Sequence, residues 1–125
     1  VARVIDGDTV VINGIGAVRL IGVDTPETVD PRRPVQAFGK DASAFLTALV
    51  AGRSVRLEYD TVRQDRYRRT LAYLYLTDGT FVNAEIVRQG YGYAYTRFPF
   101  RFLELFRAYE REAREARRGL WANAP

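Results

Sequence analysis

Leu20-Ile21-Gly22-Val23-Asp24-Thr25-Pro26-Glu27-Thr28 turns within nine residues from apolar β-formers to a carboxylate, a Thr, a Pro and a second carboxylate. Apolar residues of this kind read as a strand, and Thr-Pro marks its end. Two acids three residues apart, just past a strand end, can converge on one point. Their oxygens suit a hard divalent cation, and a water held beside it can use the second acid as a base. Like charges this close need a cation to offset them.

Outward from this stretch the chain reads as β on both sides. Residues 1–13 read as one strand interrupted by the Asp6-Gly7-Asp8-Thr9 turn, with Val10 and Ile12 alternating, and Asn13-Gly14 is a hairpin signal. Residues 17–23 form a second strand. Residues 53–59 alternate, with Val55, Leu57 and Tyr59 on one face and Arg56 and Glu58 on the other. Residues 70–76 form a strand rich in Leu and Tyr, and Asp78-Gly79 turns it into the short strand Thr80-Phe81-Val82.

Helical spacing takes over between and after these strands. Phe38, Ala42, Phe45, Leu46, Leu49 and Val50 share one helical face, with Gly52 as the stop. Residues 83–89 form a short helix ended by Gly90. Residues 103–118 form the longest, with Phe102, Leu105, Phe106, Tyr109, Ala113 and Ala116 as its stripe. Gly119 stops it, and Leu120 and Trp121 fold back. Its Glu110–Arg114 and Arg111–Glu115 spacings mark a solvated outer face. About five strands with helices inserted late predict an α+β, mainly β, fold: a five-stranded OB-fold barrel with three flanking helices, in one domain spanning residues 1–125.

Composition narrows the chemistry. The chain of 125 residues is 47% hydrophobic, which is ordinary for a folded domain, and its formal net charge is +4. Lys40 is the only lysine, so arginine supplies the other cations. Arginine offers phosphate a planar bidentate fork, although GC-rich coding produces the same bias. Cys and His are both absent. That excludes disulfides, Cys or His zinc sites, and triads built on His. Acid–base work falls to Asp, Glu, Tyr, Lys, Arg or metal-bound water. No run is long enough to span a membrane. The chain begins at Val1 rather than Met, as expected of a trimmed or mature form.

Asp8, Asp24 and Glu27 are the acids that matter most. Each motif alone is also an ordinary turn former; together, on strands that can pair, they offer two carboxylates and a carbonyl to Ca²⁺ or Mg²⁺. Arg19 and Arg69 are the cationic candidates. Strict alternation puts Arg19 and Asp24 on opposite faces, and a bend at Gly22 is needed to bring them together. Arg66-Tyr67-Arg68-Arg69 interleaves cations with an aromatic, as phosphate contact with base packing requires and as an exposed solubilising loop also shows. Arg32 and Arg33 follow Glu27 in a Pro-flanked loop. Tyr91, Tyr93 and Tyr95 alternate, so that one parity can pack in the core while another lines a pocket.

These residues, in this order, resemble the staphylococcal nuclease-like (thermonuclease, or micrococcal nuclease) family. The resemblance rests on Val4-Ile5-Asp6-Gly7-Asp8-Thr9-Val10, the segment from Arg19 to Thr28, Asp65-Arg66-Tyr67-Arg68-Arg69-Thr70-Leu71-Ala72-Tyr73, Val82-Asn83, Val87-Arg88-Gln89-Gly90 and Arg118-Gly119-Leu120-Trp121. It implies an OB barrel and a Ca²⁺-dependent, sugar-nonspecific nuclease that leaves 3′-phosphate ends. It implies Asp8, Asp24 and the Thr25 carbonyl as metal ligands, with Asp6 behind them. Glu27 is then the acid that orients or deprotonates the attacking water, and Arg19 and Arg69 grip the scissile phosphate. Arg66, Tyr67 and Tyr95 contact the nucleotide. The implied partners are DNA and RNA, with single strands preferred, no obligate protein partner, a monomeric state and a secreted or cell-envelope location. The chain departs from the family pattern at Arg68 and Thr70, where glycines are expected, and near Arg97 and Phe98, where a second tyrosine is expected. The reading from a different class is a non-catalytic OB-type module that binds nucleic acid or protein.

Overall fold

The computed structural model describes residues 1–26 and 36–122. Strands β1 (Arg3–Asp6), β2 (Thr9–Ile12) and β3 (Gly16–Leu20) form an antiparallel meander. Residues 1–13 are therefore a hairpin rather than one interrupted strand. Gly7-Asp8 reverses the chain, and the register of β1 on β2 shifts between Val4 and Asp6. After β4 (Val23–Asp24) and helix α1 (Gln36–Val50) come β5 (Val55–Glu58) and β6 (Thr70–Leu76). β6 runs parallel to β3, pairing Arg19 with Leu71, and antiparallel to β5. The order is β1-β2-β3-β6-β5. The outer strands β1 and β5 are not paired with each other among the described residues.

Alternation explains which face is buried. Val10 and Ile12, Val18 and Leu20, and Ala72, Leu74 and Leu76 all point into one core. Leu46 and Val50 of α1 pack into it, as do Val82, Ile86 and Val87 of helix α2 (Val82–Arg88) and Phe106 of helix α3 (Leu103–Glu115). The strand expected at residues 80–82 is absent. Phe81 makes a single bridge to Tyr75, and its carbonyl accepts the Glu85 N–H at 3.0 Å, so Val82 already belongs to a helix. Helical spacing buries Val82, Ile86 and Val87 together, which a strand would not.

α3 stops at Glu115, short of Gly119. Arg117 takes a left-handed conformation (φ 56°), and the N–H groups of Arg117 and Arg118 cap the carbonyls of Arg114 and Ala113. A 3-10 turn, Gly119–Trp121, then folds back onto the end of α2. Leu120 N–H donates to the Gly90 carbonyl at 2.8 Å. The backbones approach so closely that a Cβ on Gly119 would stand 2.3 Å from that oxygen, and one on Gly90 the same distance from the Arg118 carbonyl. From Gly90 the chain runs into β7 (Tyr93–Ala94), which pairs antiparallel with β4 and sets Asp24 opposite Tyr93.

Candidate functional site

Asp8 stands just past the β1–β2 reversal and is buried, with 8% of its surface exposed. A carboxylate in that position needs its lone pairs occupied. Oδ2 accepts the Thr25 N–H at 3.1 Å and the Thr25 hydroxyl at 3.2 Å, and Oδ1 accepts the Thr9 hydroxyl at 3.0 Å. Two turns distant in sequence are thereby joined through one side chain.

Arg19 supplies the compensating charge. The β2–β3 register places it beside Thr9. Its Nη2 lies 3.5 Å from Asp8 Oδ2 and 3.9 Å from Asp24 Oδ1. Its Nη1 donates to the carbonyls of Val23 at 2.6 Å and Leu20 at 3.1 Å. The guanidinium thus sits between two carboxylates and is pinned to the turn that separates it from Asp24. Its side chain is 17% exposed, that of Asp24 52%. The site is anchored on the Asp8 side and open on the Asp24 side.

Gly22 makes this convergence possible. Its φ is +80°, in the left-handed region that favours glycine, and it breaks the alternation between β3 and β4. An added Cβ would meet two ring carbons of Phe100 at 2.6 Å and one of Phe106 at 2.8 Å. Asn83, completely buried, holds the same corner from below. Its Nδ2 donates to the carbonyls of Ile21 at 3.0 Å and Ala72 at 3.1 Å, and its Oδ1 accepts the Leu74 N–H at 2.9 Å. One amide therefore ties the end of β3, the middle of β6 and the start of α2 together. Its sequence signal was a polar residue inside the apolar face Val82, Ile86, Val87.

Arg69 belongs to a second loop, immediately before β6. Asp65 organises it. The Asp65 carboxylate accepts the N–H groups of Tyr67 and Arg69, each at 2.9 Å, and Arg69 Nε at 2.7 Å. Burial alone would raise the Asp65 pKa; the Arg69 backbone and side-chain bonds, then the Tyr67 N–H, outweigh it and hold it below the usual range. The spacing of Asp65 to Tyr67 and Arg69, i+2 and i+4, was a readable Asx-turn signal. Tyr67 is 65% exposed, with the Arg66 guanidinium 5.0 Å and that of Arg69 5.7 Å from its ring. Since Arg19 pairs with Leu71, strand parity aligns Arg69 with the face that Arg19 shares.

Tyr95 follows β7, and its N–H donates to the Gly22 carbonyl at 2.8 Å, beside the same turn. Its ring packs against Phe98 at 6.2 Å. Tyr91 stacks on Phe45 at 4.2 Å, and Tyr93 meets Trp121 edge-on at 5.5 Å. Glu27, Arg32 and Arg33 lie outside the described residues. A second polar knot sits elsewhere, where Asp60 accepts the Tyr73 hydroxyl and the Arg101 N–H. Burial pushes the Asp60 pKa up, but those bonds and two from Thr61 bring it down to about 2. Burial, then Asp60, pushes the Tyr73 phenol well above its usual value.

Among the described residues no three carboxylates gather as a ready-made metal cage. The donor set that Asp8, Asp24 and the Thr25 backbone carbonyl can offer is all oxygen, which fits a hard cation and not a thiolate-loving one. Asp8 already accepts from Thr9 and Thr25, so its orientation is set in advance.

Comparison with known proteins gives a concordant set of matches. A family model described as Staphylococcal nuclease homologue matches residues 17–123. A thermonuclease of Staphylococcus hyicus is 41% identical over 127 residues, covering 98% of this chain and 75% of the relative. A thermonuclease of Staphylococcus intermedius is 53% identical over 93 residues, covering 72% of this chain and 55% of the relative. Endonuclease YncB of Bacillus subtilis (strain 168) is 39% identical over 128 residues, covering 98% of this chain and 60% of the relative. The chain thus spans only part of each relative. Among the described residues no helix is long and apolar enough to cross a membrane.

Proposed function

Because this chain belongs to the staphylococcal nuclease homologue family, we propose that it is a Ca²⁺-dependent nuclease that hydrolyses phosphodiester bonds of DNA and RNA and leaves 3′-phosphate ends. The observation that carries the reading is the Arg19 guanidinium held between Asp8 and Asp24 at an edge half open to solvent. In this reading the domain spans residues 1–125, its sheet curls as an OB-type barrel, and it works as a monomer on single strands, secreted or at the cell envelope.

Asp8, Asp24 and the Thr25 carbonyl would hold the cation, which supplies Lewis-acid polarisation of the phosphate and a more acidic water. Arg19 offsets the paired carboxylates and presents its remaining capacity to the scissile phosphate. Arg69 spends Nε on Asp65, and no described residue takes its two Nη groups. They form the second half of a clamp for charge that grows in the transition state. Glu27 accepts the proton of the attacking water, a role worth about a hundredfold or more. Arginine is too weak an acid to protonate the leaving oxygen readily near neutral pH. Tyr67, Tyr95 and Arg66 hold the flanking nucleotide.

The test is cleavage of a single-stranded DNA oligonucleotide with Ca²⁺, with a chelator, and by Glu27→Ala under Ca²⁺. Loss of cleavage in the chelator and a large kcat fall in the variant support the reading. Binding without cleavage by the intact chain, across Ca²⁺ concentrations, favours a non-catalytic binding module instead.

A further inference from the structure

The loop that carries Arg69 contains a conformational oddity that the chemistry above does not use. Arg68 has φ 65°, in the left-handed region. A residue with a Cβ is strained in that conformation and glycine is not. Among the described residues only Arg117 is otherwise in this state without being glycine. Arg117 has a local reason, since it terminates α3 and its N–H caps the Arg114 carbonyl. Arg68 terminates no helix. The turn around it is over-determined instead: its N–H donates to the Asp65 carbonyl at 3.0 Å, while its neighbours Tyr67 and Arg69 both donate to the Asp65 carboxylate. Three consecutive N–H groups converge on one aspartate, and the strain is held there.

The strained residue carries an exposed guanidinium that makes no hydrogen bond or ion pair with the described residues. It lies between Tyr67, whose ring is largely open to solvent, and Arg69, whose guanidinium is fixed by Asp65. Strain retained beside a charged, exposed loop points to a use for the side chain. We propose that Arg68 is a specificity-determining substrate contact that holds a backbone phosphate next to the one cleaved. This rests on the nuclease reading above. The arginine adds a phosphate contact that a glycine there cannot make, so it tightens this chain's hold on longer single strands at a cost in stability.

The experiment compares the intact chain with Arg68→Gly, Arg68→Asn and Arg68→Lys on a fluorescent single-stranded DNA oligonucleotide, with Ca²⁺ and salt varied from about 50 to 200 mM. Glycine and asparagine accept the left-handed turn and drop the charge; lysine keeps the charge. Arg68→Gly and Arg68→Asn should raise KM about three- to tenfold with little change in kcat. Both should flatten the salt dependence by about 0.7 in log–log slope, the share of one phosphate on a single strand. Arg68→Lys should stay near the parent. Arg68→Gly should also melt about 2–5 °C higher, which shows that the weaker binding is not misfolding. A higher melting point with unchanged KM and salt slope overturns the inference, since the strain is then structural only. An intact chain that does not cleave at all overturns the nuclease reading, and this inference with it.

Discussion

Gly22→Ala tests the corner on which the candidate site turns. Two costs add. The residue sits at φ +80°, where a side chain costs about 1–2 kcal/mol. Its Cβ would also stand 2.6 Å from two carbons of Phe100 and 2.8 Å from one of Phe106, inside any real carbon contact. Phe106 is fully buried, so relief requires moving the start of α3, and overpacking of this kind costs about 1–3 kcal/mol. The sum, about 2–5 kcal/mol, is a large share of a typical domain's 5–15 kcal/mol. For a chain of this size it lowers the melting temperature by roughly 10–20 °C. Circular dichroism melts of Gly22→Ala and of Gly22→Ala/Phe100→Leu isolate the part of the packing cost that Phe100 imposes. The second change should return that part and leave the Phe106 contact and the backbone share. Cleavage measured well below both melting points should still be reduced, because Arg19 Nη1 is bound to the Val23 carbonyl across this turn. A Gly22→Ala chain that melts within about 2 °C of the parent and cleaves at full rate would refute the role of the turn.

Two further outcomes follow from the polar groups. Asn83→Ala leaves the buried Leu74 N–H and Ile21 carbonyl without their amide partner; urea denaturation should show a loss of about 2–4 kcal/mol, with faster hydrogen exchange at Leu74. The Asp60 carboxyl is held down from 3.8 to about 2 in the folded chain. Its contribution is therefore full above its ordinary value and drains as pH falls through about 2. Asp60→Asn should flatten the acid limb of a stability–pH curve between those values by about 1–2 kcal/mol, a figure reduced for solvent screening, and a curve identical to the parent's would remove Asp60 from the account.

The β framework was legible because one-sided burial writes alternation into the chain, as at Val10 and Ile12 or Val18 and Leu20. The helices were legible for the same reason at Ala42, Leu46 and Val50. What alternation hides is where the backbone reverses. Asp6-Gly7-Asp8 reads equally as an interruption and as a hairpin, and only the pairing of Val4 with Val10 decides for the hairpin. Phe81 has the chemistry of a strand residue and is overruled by the burial that α2 demands. At the site, residue types pointed to Asp8, Arg19 and Asp24; the β2–β3 register joins the first two, and bringing Asp24 to them depends on a single positive φ at Gly22. Asn83 was invisible in its role because its acceptor on Ile21 is 62 residues away. Asp65 reads in the sequence as one more polar loop residue, although three bonds to its carboxylate shape the loop.

The crossing of Gly119 over Gly90 also sets an order of events in time. Residues 8–95 hold every side chain proposed for the site, and the turn ahead of β7 gains one more contact, from Leu120 N–H to the Gly90 carbonyl, only from the far end of the fold. On a ribosome that contact cannot form until Trp121 has cleared the exit tunnel. A nascent chain therefore carries the candidate site residues for some time before the turn at Gly90 gains this contact.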